Sequence, residues 1–321
     1  MNSYRFRLCF PAKGMKVQNS AYRPPEFFAL GKVKWGCEMQ QRTLKEPLSL
    51  KGIGLHSGVN VNLTINPAPA DSGIVFRRVD VDGKPEIKAL YSNIVDTRNC
   101  SCLGDKAGNL VSTIEHVMSA LYAAGIDNAL IDVDNKELPI MDGSAKVFFD
   151  ALKKAEKVEQ NAARKYLKIK KEVSFSDEKG NTVKLLPSDK LSVEFEIEFP
   201  SKIVGHQVFD NEITPEVFER EISPCRTFCE KYQVDYLQSV GLAKGGSLDN
   251  AVVLDGETVM NPGGLRLKNE CVNHKVLDAV GDLYTSGYYI LGRMVASKTG
   301  HFHSNELLKV LFKDSSNYEI V

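Results

Sequence analysis

The segment "NHKVLDAVGD", residues 273–282, sets His274, Asp278 and Asp282 four residues apart among mainly apolar side chains. Residues four apart lie on one face of a helix, so the spacing predicts a helix with an ionisable stripe. One interpretation is an ordinary amphipathic helix whose polar edge faces water. The other is that His274 and Asp278, one turn apart, hold one metal ion between them. This segment alone does not separate the two.

A second helix is predicted over "STIEHVMSALYAAG", residues 112–125, with Ser112 as its cap and Gly125 at its end. Glu115 and His116 are its only acidic or basic residues, and the rest are mainly apolar or small, which predicts burial on most sides. A buried Glu or His is costly unless it is paired or bound to a metal. The alternatives are a capping box of Ser112 and Glu115 and a hydrogen-bonded core histidine.

The two helices share a pattern that predicts an α+β chain with two related halves. Residues 116–125, "HVMSALYAAG", and 278–287, "DAVGDLYTSG", both contain Leu-Tyr-x-x-Gly and run straight into an apolar strand. Such an internal sequence repeat is typical of a repeated structural unit whose equivalent helices meet, although chance similarity is the alternative. If the helices meet, His116 joins His274 and Asp278.

The domain boundaries are predicted from composition. The charged run over 153–165 lacks periodic apolar residues beyond its start and is interpreted as a boundary. The predicted parts are a first α+β domain over 39–155, a linker over 156–165 and a second α+β domain over 166–315. Residues 1–38 are predicted to be an N-terminal extension, disordered or cleaved, whose basic composition without an apolar core does not resemble a secretory signal.

Bulk composition excludes several classes of protein. The 41 basic residues balance the 41 acidic ones, so charge gives no reason to expect nucleic acid as a partner. The longest uncharged apolar stretches, such as 117–126 and 283–292, are about half the length that crosses a bilayer. The seven cysteines are scattered, which predicts free thiols in a reducing compartment. We therefore expect a soluble cytoplasmic protein, with organellar import through the N-terminal extension as the alternative.

His116, His274 and Asp278 together form a set of two histidines and one carboxylate, which suits a catalytic zinc with one open position. Glu115, next to one of these residues, is then the candidate general base for a water molecule. Asp282 is a candidate to orient a neighbouring imidazole, and Lys275 a candidate to hold an anion.

Two further candidates stand outside the helices. His301, in the loop "KTGHFHSN", is a candidate acid or base, with an ordinary surface histidine as the alternative. Thr227, in "RTFC", is a candidate hydroxyl donor to an oxyanion, although a structural role in a turn is the more common one for such a residue.

Eight ordered motifs give the chain a specific resemblance. The motifs, spread over about residues 40–312, are "QRTL", "GIGLHSG", "STIEH…GIDN", "PIMDGSA", "RTF", "YLQSVGL…GGSLDNAVVLD", "HKVLDAVGDL" and "KTGH". In this order they resemble the UDP-3-O-acyl-N-acetylglucosamine deacetylase family of zinc amidases. The resemblance implies two α+β domains, each a layered sandwich of sheet and helices, with the active site at their interface.

The resemblance also implies a role for each candidate residue. It assigns one zinc ion to His116, His274 and Asp278. Glu115 would activate water, His301 would act as the cation that helps the amine to leave, Asp282 would partner His301, and Thr227 would lie beside the oxyanion. The implied substrate-binding residues are Lys275, Lys298 and Phe228.

The expected reaction is zinc-dependent hydrolysis of the N-acetyl group of a UDP-linked 3-O-acylglucosamine, the committed step of lipid A synthesis. The family likeness places a passage for the acyl chain in the second domain, and we expect a monomer with transient contact to a membrane surface. Cys229 and Glu230 depart from the family pattern, which usually has Gly and an aromatic residue there. The alternatives are a zinc amidase for another acylated amino sugar and a non-catalytic protein that binds a nucleotide sugar.

Overall fold

Two sheets with the same strand order organise the protein. The structure is a computed structural model and describes residues 39–321. The N-terminal extension predicted over 1–38 lies outside the described residues. Within the described part, helices and several sheets are mixed along the chain, which confirms the α+β class.

The first half contains ten strands and two helices. Its strands are β1 (Gln40–Leu44), β2 (Leu48–Ile53), β3 (Asn60–Pro67), β4 (Ile74–Arg78), β5 (Glu86–Lys88), β6 (Ile94–Asp96), β7 (Cys102–Gly104), β8 (Leu110–Ser112), β9 (Ala129–Val133) and β10 (Lys157–Ala163). Its helices are α1 (Glu115–Ala124) and α2 (Lys146–Lys154), with a 3₁₀ turn at Tyr91–Asn93. Strand β3 shows the alternation expected of a half-covered strand, because Val61, Leu63 and Ile65 are fully buried between more exposed residues.

The second half contains ten strands and four helices. Its strands are β11 (Tyr166–Ile169), β12 (Val173–Ser176), β13 (Thr182–Pro187), β14 (Ser192–Glu198), β15 (His206–Glu212), β16 (Phe228–Glu230), β17 (Val252–Asp255), β18 (Thr258–Val259), β19 (Tyr289–Ser297) and β20 (Tyr318–Ile320). Its helices are α3 (Pro215–Val217), α4 (Lys231–Ser239), α5 (Glu270–Tyr284) and α6 (His301–Lys313), with a π-helical turn at Phe218–Ile222 and a 3₁₀ turn at Ser315–Asn317.

The large sheets of the two halves match strand for strand. The first sheet runs β2-β3-β9-β4-β5, and β9 is antiparallel to β3 and parallel to β4. The second contains the series β12-β13-β19-β14-β15, in which β19 is antiparallel to β13 and parallel to β14. Strands β11 and β20 extend this second sheet. The shared order and directions confirm the prediction of two related halves.

Helices α1 and α5 are the equivalent helices of the two halves, and they pack directly against each other. Helix α5 also packs against β14, β15 and β19, while α1 packs against α2. Nearly every residue of both helices is buried, as the apolar composition of α1 predicted. Gly125 ends α1 with a φ of 72°, a left-handed conformation that glycine adopts without strain.

Three local predictions were wrong. Ser112 does not cap α1: it is the last residue of β8, and α1 begins at Glu115 without a side-chain cap. His301 does not lie in a loop but is the first residue of α6. Residues 157–163, predicted as part of a linker, form β10, which pairs with β1. The separation into domains over 39–155 and 166–315 stays a prediction.

The described residues also bear on membrane and redox chemistry. Over residues 39–321, every helix falls short of the length and apolar character needed to cross a bilayer. The five cysteines in this part, at positions 100, 102, 225, 229 and 271, are free thiols, as predicted. Cys9 and Cys37 lie outside the described residues.

Candidate active site

A cleft of about 480 Å³ collects the predicted site residues from both halves of the chain. Nine of the ten predicted residues line it, and Asp282 lies behind His301. The lining residues that we predicted are Glu115, His116, Thr227, Phe228, His274, Lys275, Asp278, Lys298 and His301.

Three buried side chains converge at the bottom of this cleft. His116 Nε2 lies 3.7 Å from Asp278 Oδ1, and His274 Nε2 lies 3.4 Å from the same oxygen. One ligand atom from each of the three residues lies within 4.8 Å of the others, and all three residues are buried. Since two imidazoles and one carboxylate at this spacing surround a single point, the group has the donors to hold one metal ion.

The protonation state of this group favours metal binding. His274 Nδ1 lies 3.0 Å from the carbonyl oxygen of Cys225. Because a carbonyl only accepts, Nδ1 carries the proton and Nε2 keeps its lone pair. Burial lowers the pKa of His274 to about 4 despite the opposing charge of Asp278, so the ring is neutral near pH 7.

Lys275 fixes the orientation of Asp278. Its Nζ lies 2.7 Å from Asp278 Oδ2, while Oδ1 faces the two imidazoles. Burial alone would raise the pKa of Asp278, but His274 and Lys275 outweigh it and hold this pKa well below its ordinary value. The carboxylate is therefore ionised and presents one oxygen to the metal position.

Glu115 stands at the start of α1, buried beside His116. Its Oε2 accepts the backbone N–H of Ser101 at 3.0 Å. Burial raises the pKa of Glu115, against the opposing influence of His301 and His116. A carboxyl with a raised pKa is a stronger base than an ordinary carboxyl and is suited to take and return a proton.

His301, which is partly buried, forms a pair with the buried Asp282. His301 Nδ1 lies 2.9 Å from Asp282 Oδ2. Burial lowers the pKa of His301, but the charge and hydrogen bond of Asp282 outweigh this effect and raise the pKa to about 9. His301 Nε2 lies 4.0 Å from Asp278 Oδ2, so this cation stands beside the metal position.

The remaining predicted residues line the walls. Thr227 is fixed through its backbone, because its N–H donates to the Gly143 carbonyl at 2.8 Å, and its hydroxyl has no bonded partner among residues 39–321. Phe228 presents its ring to Phe199 and His274 at centroid distances of 5.3 and 6.5 Å. Lys298 forms an ion pair with Glu198 and has a positive φ of 56°.

Sequence reasoning missed two positions that shape the cleft. Glu137 is buried, and its carboxylate accepts the backbone N–H groups of His56 and Ser57, at 2.7 Å each, which holds the "GLHSG" loop against the cleft. Ser101 bonds both Glu115 and Asp282. Glu115 could be recognised from the sequence because it is a charged residue in an otherwise apolar helix. Glu137 and Ser101 lie outside helices, so the sequence around them carries no comparable signal.

These features define an α+β protein in which two histidines and one aspartate have the geometry to hold a metal ion, flanked by a buried carboxyl and a histidine–aspartate pair. The model of one protein family, "LpxC: UDP-3-O-acyl N-acetylglycosamine deacetylase", matches residues 41–313. The chain belongs to this family. Membership in a deacetylase family identifies it as a hydrolase that cleaves an amide bond.

The names of individual relatives agree with the match to the family. The chain is 44% identical to the UDP-3-O-acyl-N-acetylglucosamine deacetylase of Idiomarina loihiensis over 285 residues, 88% of this chain and 93% of the relative. It is 45% identical to the protein of the same name in Nitratiruptor sp. over 284 residues, 88% of this chain and 94% of the relative. The protein of that name in Pasteurella multocida is 42% identical over 285 residues, 88% of this chain and 93% of the relative.

Proposed function

We propose that the protein hydrolyses the N-acetyl group of UDP-3-O-acyl-N-acetylglucosamine, releasing acetate and the free amine, with zinc as its metal. The convergence of His116, His274 and Asp278 beside the Glu115 carboxyl carries this proposal. A site that served only to bind a ligand or to stabilise the fold would need neither a base nor an acid, and Glu115 and His301 supply both.

Zinc suits the three donors better than other common ions. Two neutral imidazoles and one carboxylate are the donors of many catalytic zinc sites, whereas calcium and magnesium prefer oxygen ligands. Bound zinc would supply Lewis acidity, which polarises the amide carbonyl and favours ionisation of water. Lys275 keeps the Asp278 carboxylate turned towards the metal position, and the Cys225 carbonyl does the same for His274.

Glu115 is the base in this proposal. Its raised pKa lets it accept the proton from the attacking water and hold it during the reaction. The hydrogen bond from Ser101 fixes Oε2, so the other oxygen of the carboxyl is the one that takes the proton. A glutamate in open water would be a weaker base, since its pKa would be lower.

His301 is the acid. An amine leaves readily only when its nitrogen is protonated, so the reaction needs a proton donor near the scissile bond. Asp282 keeps His301 protonated near neutral pH, because its charge and hydrogen bond raise the pKa to about 9 against burial. The His301 Nε2–H faces the cleft and is the group that donates to, or electrostatically supports, the departing nitrogen.

The walls of the cleft suit the rest of the substrate. The Thr227 hydroxyl is available to donate to the oxyanion that develops on the acetamido oxygen. Lys298 and Lys275 are cations that would contact the nucleotide-bearing part of the substrate. Phe228, with Phe199 and Leu254, gives the cleft apolar lining residues in the second half, where we place the acyl chain.

Several wider expectations are part of the same proposal. We place the site at the interface of two domains, over 39–155 and 166–315, and we place the enzyme at the committed step of lipid A synthesis in the cytoplasm. It acts as a monomer, with transient contact to the membrane surface. The family membership supports the pathway, and the acyl chain in the relatives' names supports a substrate that comes from a lipid environment.

Acetate release from the purified UDP-linked substrate tests the proposal. We expect turnover that a chelator abolishes and added zinc restores. Glu115→Ala should abolish turnover while the protein keeps its metal. A fully zinc-loaded protein without turnover would favour a nucleotide-sugar-binding protein, and turnover only with another acylated amino sugar would favour a different amidase.

A further inference from the structure

Ser101 bonds both carboxyl groups that flank the metal position. Its backbone N–H donates to Glu115 Oε2 at 3.0 Å, and its hydroxyl donates to Asp282 Oδ1 at 2.6 Å. Its carbonyl accepts the N–H of Ile114, the residue before α1, at 3.4 Å. The side chain is buried, so water does not compete for these bonds. From this geometry we propose that Ser101 is a positioning residue that aligns the base and the acid of the reaction with each other.

The inference rests on the proposed roles of Glu115 and His301. Asp282 shows the alignment most clearly, because the Ser101 hydroxyl bonds one of its two oxygens and leaves the other to His301. Oδ1 receives the Ser101 hydroxyl and lies 3.2 Å from His301 Nδ1, whereas Oδ2 makes the shorter contact with the same nitrogen, at 2.9 Å. A carboxylate held at one oxygen cannot rotate freely about its Cβ–Cγ bond, so the Ser101 hydroxyl keeps Oδ2 aimed at the imidazole.

The Glu115 carboxyl is held in the same way by a different group of the same residue. Ser101 N–H occupies Oε2, and Oε1 has no hydrogen-bond partner among the described residues. The free oxygen is therefore the one available to a water molecule in the cleft. Because the N–H and the hydroxyl belong to one residue, a shift of its backbone would misplace base and acid together.

The hydrogen bond between the Ser101 hydroxyl and Asp282 also joins distant parts of the chain. Ser101 precedes β7 in the first half, and Asp282 lies in α5 of the second half, 181 residues further on. A purely structural role would make Ser101 one of many contacts between the halves. In that case its hydroxyl would contribute to stability and leave the turnover number of the folded enzyme unchanged.

Steady-state kinetics of three variants separates these roles. Ser101→Ala removes the hydroxyl and keeps the N–H, so we expect kcat to fall about 10- to 100-fold, the usual cost of losing a supporting partner. We expect KM, zinc content and the thermal midpoint to remain near those of the unchanged enzyme. Ser101→Thr and Ser101→Val have side chains of nearly equal size, and the threonine variant should retain much more activity because it keeps the hydroxyl.

A double-mutant cycle tests whether Ser101 acts through Asp282. In an Asp282→Asn background, Ser101→Ala should cause little further loss of kcat, because the carboxylate that it aligns is gone. Full additivity of the two losses, equal activities of the threonine and valine variants, or an unchanged kcat in Ser101→Ala would each overturn the inference. If the unchanged enzyme releases no acetate, the proposed function itself fails, and the two failures are thereby distinguished.

Discussion

The backbone of Gly281 lies directly against the carbonyl group of Glu115. A Cβ atom at position 281 would stand 2.1 Å from the Glu115 oxygen and 2.8 Å from its carbonyl carbon. Helices α1 and α5 cross at this point, since Glu115 begins α1 and Gly281 lies within α5. The close approach brings His116 of one helix within reach of His274 and Asp278 of the other, so the metal position depends on a residue without a side chain.

Gly281→Ala should therefore destabilise the protein. Alanine normally stabilises a helix relative to glycine by about 1 kcal/mol, but here the methyl group would overlap backbone atoms that cannot move independently. We expect the free energy of unfolding, measured by chemical denaturation, to fall by about 2 kcal/mol. Gly300→Ala is the matched control, because a Cβ there meets nothing within 4 Å. Equal stability of the Gly281 variant and the unchanged protein would contradict the close packing.

Glu115→Gln should remove the base without changing the shape of the site. The amide cannot accept a proton from water, so we expect kcat to fall by about 100- to 10,000-fold. Zinc content, measured by mass spectrometry, should stay at the unchanged level, because Glu115 is not among the three converging ligands. A variant that lost its zinc together with its activity would point to a ligand role instead.

The rate should fall at alkaline pH as His301 loses its proton. Burial lowers the pKa of His301, but Asp282 raises it to about 9, so the imidazolium persists through neutral pH. The raised folded-state pKa also means that this group stabilises the fold fully below its ordinary value of 6.5, and the contribution is lost as the pH rises through about 9. The dependence of kcat on pH should show a falling limb near pH 9.

Asp282→Asn provides the control for this limb. The variant removes the negative charge that sustains the imidazolium, while burial continues to lower the pKa of His301. We expect the falling limb to move to lower pH. An alkaline limb at the same pH in both proteins would show that another group governs it.

Thr227→Val should weaken stabilisation of the oxyanion. Valine keeps the size and branching of threonine but cannot donate, and we expect kcat to fall about 100-fold, with a smaller change in KM. Thr227→Ser, which retains the hydroxyl, should keep most of the activity. Near-normal turnover in the valine variant would mean that the hydroxyl, which lines the cleft, does not contact the reacting atoms.

The metal-binding group was predictable because its members lie in regular helices. His274 and Asp278 are one turn apart, and Glu115 and His116 are the only acidic or basic residues of a helix that is otherwise mainly apolar or small. Both features follow from helix periodicity and from the cost of burying charge. The repeated halves were predictable for a similar reason, since a helix followed by glycine and an apolar strand occurs twice.

Local errors arose where tertiary structure overrode local signals. Ser112 and Glu115 have the spacing of a capping box, but strand β8 continues through Ser112, and Thr113 turns the chain with a φ of 62°. Strand β10 was not predicted because it belongs to a two-stranded ribbon with weak alternation of buried and exposed residues. Neither feature is visible in a window of a few residues.

Contacts over long sequence separations were not predictable. A serine between two cysteines carries no signal of its own, yet Ser101 meets Asp282 across 181 residues. The role of Gly281 is also hidden, because its neighbour Glu115 is distant in the sequence. Such contacts depend on how the two halves pack.

The zinc content of single-site variants tests the central claim most directly. We expect one zinc ion per chain in the unchanged protein and a loss of zinc in His116→Ala, His274→Ala and Asp278→Ala. His303→Ala is the control, because this histidine is bonded to Asp177 instead and should not affect zinc content. Full zinc occupancy in any of the three ligand variants, measured by mass spectrometry of the purified proteins, would contradict a single ion held by all three side chains.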